Sequence, residues 1–222
     1  MLAARLLGLA IAIVSICGFN GGCTSAGIAM RESLGIPKRE QLVDRVKEAR
    51  DSQTAAKEQF DSALAEFMSV TGQAGKGGEL EAKYKKLSKE YDRSKAAAAE
   101  VTERIDTVDA VATKLFAEWE KELGQYSSAT LRAQSEKQLT DTKARYAKLL
   151  GAMRGAESKM QPVLTAFGDQ VLFLKHNLNA QAIASLQGTV SEIQNDVSGL
   201  IREMEASIAE ANAFIAEMDG GK

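Results

Sequence analysis

Few residues of this 222-residue chain have the type and spacing for chemistry, and each group stops short of a site. The stretch Thr71-Gly72-Gln73-Ala74-Gly75-Lys76-Gly77-Gly78 invites comparison with a phosphate-binding loop. That loop needs a glycine five residues before the Gly-Lys pair and a hydroxyl residue after it, and here Val70 and Gly77 hold those places. It also follows a helical pattern, not a strand, so nothing aims its N–H groups at a phosphate. A hairpin loop is the better reading. The single histidine, His176, cannot build a histidine cluster for a metal, and no nucleophile motif stands near it to form a Ser-His-Asp arrangement. Asp106 with Asp109 and Glu118 with Glu122 could share a helix face as paired acids. Both pairs fall off the apolar seam and have lysines nearby, which makes them solvated faces. No catalytic, metal or cofactor-binding residue is assigned, and the chain is expected not to be an enzyme.

One cysteine does carry an expected reaction. Arg5 supplies a short positive region, and Leu6 to Phe19 form an apolar run of signal-peptide length, too short to span a bilayer comfortably. It ends in Asn20-Gly21-Gly22-Cys23, which resembles the lipobox cleaved by lipoprotein signal peptidase, although Asn20 stands where an aliphatic residue is usual. Cys17 follows the bulky Ile16 and lies inside the apolar run, so it is expected to leave with the signal. Residues 1–22 are thus expected to be a signal peptide, with Cys23 the lipid attachment site and first mature residue. Several acyl chains there would anchor the protein firmly in a membrane. By analogy with enterobacterial sorting, Thr24, where an Asp would favour the inner membrane, points to the outer one.

The elements that would hold any site are helices. Hydrophobic residues make up 45% of the chain, charged residues 26% and aromatics 5%, with two prolines, a mixture typical of long helices. A formal net charge of −2, with acids and bases interspersed, carries no footprint for nucleic acid. Residues 23–36 have no hydrophobic period and are expected to be a linker. From Pro37 a heptad pattern takes over: Leu42, Val46, Ala49, Gln53, Ala56, Phe60, Ala63, Phe67 and Val70 step by fours and threes. Four glycines between Gly72 and Gly78 then break the helix. A second run extends from Leu80 through Ile105 to Trp119, and a third from Leu139 to Leu174. The last runs from Leu186 to Met218. The pattern predicts helices over about 37–71, 79–124, 128–175 and 180–218 in a single domain, 37–218.

The expected fold is all-α, an elongated antiparallel coiled-coil four-helix bundle. Near Lys175 to Asn179 the step pattern slips. Either the chain turns there, with Asn179 as N-cap, or three long helices result, the last continuous through 175–180. Ser127 or Ser128 is the expected cap of the third helix. Gly151 and Gly155, one turn apart, are expected to let a neighbouring helix approach closely, and Pro162, which removes one hydrogen bond, to kink its helix locally. Gln53, Gln170 and Ser94 on the seams would fix register. Trp119, beside Phe116 and Leu123, is expected to be core.

The blocks Gly35-Ile36-Pro37-Lys38-Arg39, Val43-Asp44-Arg45-Val46, Ala49-Arg50-Asp51-Ser52-Gln53 and Asp169-Gln170-Val171-Leu172-Phe173-Leu174-Lys175-His176-Asn177-Leu178-Asn179-Ala180 resemble a family of uncharacterised Gram-negative envelope proteins. It is a domain of unknown function, some members of which are labelled DNA repair ATPases, and the resemblance runs from about Ile28 to Ile215. It implies a helical envelope protein and carries no functional residues over. Shared heptads explain the ATPase label, since the chain lacks a Walker loop. The expected role is a lipid-anchored periplasmic scaffold or adaptor. Its partners would be the membrane, through the anchor, and another envelope protein, with no nucleic acid and no cofactor. The alternative is a carrier holding a lipid or other apolar ligand between its helices, with Met153, Met160, Phe167 and Phe173 near Pro162 as the lining.

Overall fold

The computed structural model describes Ile28, residues 37–72 and residues 77–220; the expected signal peptide, residues 1–22, and Cys23 lie outside the described residues. Helix α1 spans Lys38–Thr71, α2 Gly77–Leu123 and α3 Ala129–His176. A short α4, Ala180–Leu186, leads through a 3-10 turn, Gln187–Thr189, into α5, Val190–Asp219. At 47 and 48 residues, α2 and α3 are each about 70 Å long. No helix among the described residues is long and apolar enough to cross a membrane.

Caps set where the helices begin. Pro37, extended at φ −60° and ψ 146°, sits just before α1, and its carbonyl accepts from Gln41 N–H at 3.0 Å. Ser128 Oγ accepts from Leu131 N–H at 3.3 Å at the head of α3. After His176 the chain turns: Asn177 Nδ2 donates to the Phe173 carbonyl at 3.0 Å, and Asn179 Oδ1 accepts from Ala182 N–H at 2.9 Å. The Ser128, Asn177 and Asn179 side chains each satisfy a backbone group that a helix end leaves open. The Asn179 cap decides for four helices over three.

Successive long helices pack side by side and α5 closes against α1, which makes a ring of four. Cross-pairs show the antiparallel register. Between α1 and α2, Lys38 meets Glu118 at 2.8 Å, Glu48 meets Arg104 at 3.3 Å and Gln59 meets Glu90 at 2.8 Å. Between α3 and α5, Arg145 meets Glu217 at 2.9 Å and Lys148 meets Glu210 at 2.7 Å. All nine seam positions of α1 are buried, and so are Leu87, Val101, Ile105 and Val108 of α2. The edge-to-face contact of Phe67 with Phe167, ring centres 6.1 Å apart, joins α1 to α3 across the middle. Ile28 is buried and belongs to the same core.

Several expectations need correction. Helix α2 starts at Gly77, inside the glycine-rich stretch, because packing of Leu80 and Leu87 carries the first turn where propensity would not. A Cβ added at Gly151 or Gly155 would meet nothing within 4 Å, so neither marks a close approach. Gly168 does: a Cβ there would lie 2.7 Å from Tyr91 Oη of α2. On α3, Gln170 is half-buried and Val171 takes the seam position, since a straight helix drifts about 20° per heptad and the drift accumulates over its length. The last helix is interrupted by the 3-10 turn, whose Gln187 Nε2 donates to the Thr71 carbonyl at 3.2 Å.

Candidate functional site

Helical faces decide what each chemistry-capable side chain can do here, and most of them neutralise one another. Asp106 accepts from Arg154 at 2.6 Å, whereas Asp109, one turn on, accepts from Tyr146 Oη at 2.7 Å. Glu118 is paired with Lys38, and Glu122 is exposed. The two acid pairs are therefore split between different partners on α1 and α3. His176 is exposed at the end of α3. Among the described residues, no group of three or more His, Cys, Asp or Glu side chains could hold a metal ion. Residues 73–76 of the glycine-rich stretch, Lys76 included, lie outside the described residues, as does Cys23, the expected lipid attachment site.

The predicted ligand-lining residues are divided. Met153, Met160 and Phe167 are buried in the core at 0%, 3% and 1% exposure, while Phe173 points outward at 39%. Two of the surface grooves beside α3 lie close to them. One, of about 330 Å³ between α2 and α3, is lined by Ala98, Ala99, Met160 and Leu164 together with Lys95, Thr102, Glu157 and Gln161. The other, of about 350 Å³ beside Pro162, is lined by Lys159, Asn195, Asp196, Arg202 and Glu203 of α3 and α5. Both combine charged side chains with apolar ones, Ala98 and Leu164 in the first and Val163 and Leu200 in the second.

Buried polar groups are where the pattern misled. Glu90 is 7% exposed, inside the α1–α2 interface, although a heptad reading marks no carboxylate there. The Gln59 amide, donating at 2.8 Å, holds its carboxyl below the usual carboxylate range against the opposing effect of burial; Arg93 at 2.7 Å and Ser62 at 3.4 Å help. Glu66, 6% exposed, is bound by Lys86 at 2.6 Å. Burial, with the bond to Asp109, pushes the Tyr146 phenol far up, so it stays a proton donor. Gln53 and Ser207, both at 0% exposure, share a 2.8 Å bond from Ser207 Oγ to Gln53 Oε1 between α1 and α5. Gln53 Nε2 has no partner among the described residues. Trp119 packs against the core and donates from Nε1 to Ser135 Oγ at 2.8 Å, tying α2 to α3. These groups tie neighbouring helices together in a fixed register.

Large apolar side chains are exposed near the two ends of the bundle. Leu172 is 59% and Phe173 39% exposed near the end of α3, and Met68 is 41% exposed near the end of α1. The Phe67–Phe167 contact places these at one end. Tyr126 and Leu131, at 43% and 53%, mark the other.

A family model described as a protein of unknown function, DUF2959, matches residues 28–218, and the chain belongs to that family. No curated protein and no solved structure matches it.

Proposed function

We propose that this member of the family is a non-enzymatic scaffold, tethered to a membrane of the cell envelope through acyl chains on Cys23 and working in the periplasm by docking another envelope protein. The outer membrane is the favoured location, from Thr24. The exposed apolar end carries the reading. Leu172 and Phe173 are left uncovered on a helix whose seam residues Leu139, Leu149, Met153, Val163, Phe167 and Leu174 are buried in the core. Exposed apolar side chains of that size, grouped at the end of a rod about 70 Å long, suit a protein partner held away from the membrane. Met153, Met160 and Phe167 fill the interior, which leaves the surface as the place for a partner.

Site-directed photo-crosslinking in intact cells tests this. A photoreactive residue at Leu172 is expected to yield a discrete adduct with one envelope protein, and the same residue at exposed Glu103 on the flank of α2 is not. No adduct at Leu172, or the same adducts from both positions, contradicts the scaffold reading.

A further inference from the structure

The turn between α2 and α3 differs from the rest of the surface. Every residue from Leu123 to Leu131 is uncharged, in a chain with 26% charged residues. Tyr126 and Leu131 point outward there, with Gln125, Ser127, Ala129 and Thr130 also exposed. A turn that met only water would gain nothing from presenting a tyrosine and a leucine among hydroxyls and an amide. An amphipathic aromatic and an aliphatic side chain exposed on one uncharged turn match the headgroup zone of a bilayer.

Its position in the bundle supplies the second observation. Lys38, the first residue of α1, is bound to Glu118, one turn before the end of α2 at Leu123. Arg39 donates to the carbonyl of Met218, near the end of α5, at 2.6 Å. The start of α1 and the end of α5 therefore lie beside the last turns of α2, and the α2–α3 turn projects ahead of both. Thirteen residues lie between Cys23 and Pro37, which even fully extended span at most about 50 Å, less than the rod, and Ile28 among them is packed into the core. A tether at Cys23 thus keeps this end near the bilayer, with Leu172 and Phe173 at the far end of the rod.

The geometry points to a lipid surface as the partner of this turn: Tyr126 and Leu131 enter the headgroup zone of the membrane that holds Cys23 and stand the bundle upright on it. The inference rests on the tether proposed above. Upright, the rod carries its exposed apolar end about 70 Å from the membrane.

The test uses the full chain as acylated in cells, reconstituted into phosphatidylethanolamine–phosphatidylglycerol vesicles. Ser127→Cys takes an environment-sensitive fluorophore at the turn, and Ser69→Cys takes it at the opposite end. With the protein floating with the vesicles, the label at 127 is expected to shift to the blue and lose emission to brominated acyl chains, while the label at 69 does neither. Adding Tyr126→Ser and Leu131→Ser should abolish the quenching at 127 and leave flotation intact. Equal quenching at 127 and 69 in floated protein, or quenching that survives the two serines, overturns the contact and leaves the tether standing. Failure to float overturns the tether, and the contact with it.

Discussion

Replacing Gly151 and Gly155 with alanine should stabilise the bundle, although both lie in the middle of its longest helix. Glycine in a helix interior is worse than alanine by about 0.5 to 1 kcal/mol, mainly through backbone entropy. The gain is realised only where the new methyl group meets no obstacle, and a Cβ at either position has nothing within 4 Å. The two share no partner, so their effects should add to about 1 to 2 kcal/mol. For a chain of this size, 1 kcal/mol moves the melting temperature by about 2 to 4 °C, giving an expected rise of about 2 to 8 °C. Gly168→Ala should do the opposite. Its Cβ would lie 2.7 Å from Tyr91 Oη and 3.2 Å from Cζ, and displacing that ring from the core it packs against costs about 1 to 3 kcal/mol, more than the helix gains. Tyr91→Phe should recover part of the loss. Circular dichroism melts at 222 nm separate the cases. A lower melting temperature for the Gly151/Gly155 pair would mean that the outer face of α3 is covered. A Gly168→Ala variant as stable as that pair would mean that Tyr91 does not rest on Gly168.

Ile105→Asp should unfold the bundle or lower its melting temperature steeply, because Ile105 is fully buried and the lost burial alone is worth about 2 to 3 kcal/mol before the carboxylate is desolvated; an unchanged melt would put this seam in water. Ser207→Ala should destabilise by about 1 to 3 kcal/mol by leaving the Gln53 carbonyl oxygen as orphaned as its Nε2, and adding Gln53→Leu should restore stability to the original level or above. A double variant weaker than Ser207→Ala in urea unfolding would refute this. The Tyr146 phenol is held up in the folded state, so its stabilisation is complete below the unfolded value of about 10 and is lost as pH rises beyond it. Tyr146→Phe should flatten the fall in urea midpoint between pH 8 and 11; an equally steep fall would mean that the phenol ionises freely in the fold.

The helices were legible because apolar residues at threes and fours can be buried on one face only, and in α1 all nine such positions are buried. Ser128 and Asn179 were legible as caps because a side-chain oxygen there has a free N–H to accept from. Glu66 and Glu90 were not, since a heptad marks a carboxylate as exposed and cannot see Lys86 or Gln59 waiting beside it. The glycines failed for a similar reason: Gly151, Gly155 and Gly168 are alike in the chain, and only the neighbouring helix tells which one a tyrosine touches. Of the functional residues, Cys23 rests on its sequence context alone. The exposed pairs Leu172–Phe173 and Tyr126–Leu131 emerged only once the helices were packed, because in the chain they resemble any other apolar positions.

If a lipid on Cys23 ties this bundle to a membrane, Cys23→Ser should release it. Once the signal is cleaved, the acyl chains would be the anchor, and the described helices include none able to cross a bilayer. In salt-washed membranes the unaltered protein is expected in the pellet and the Cys23→Ser protein in the soluble fraction. A Cys23→Ser protein that stays with the membranes after the wash would contradict the account.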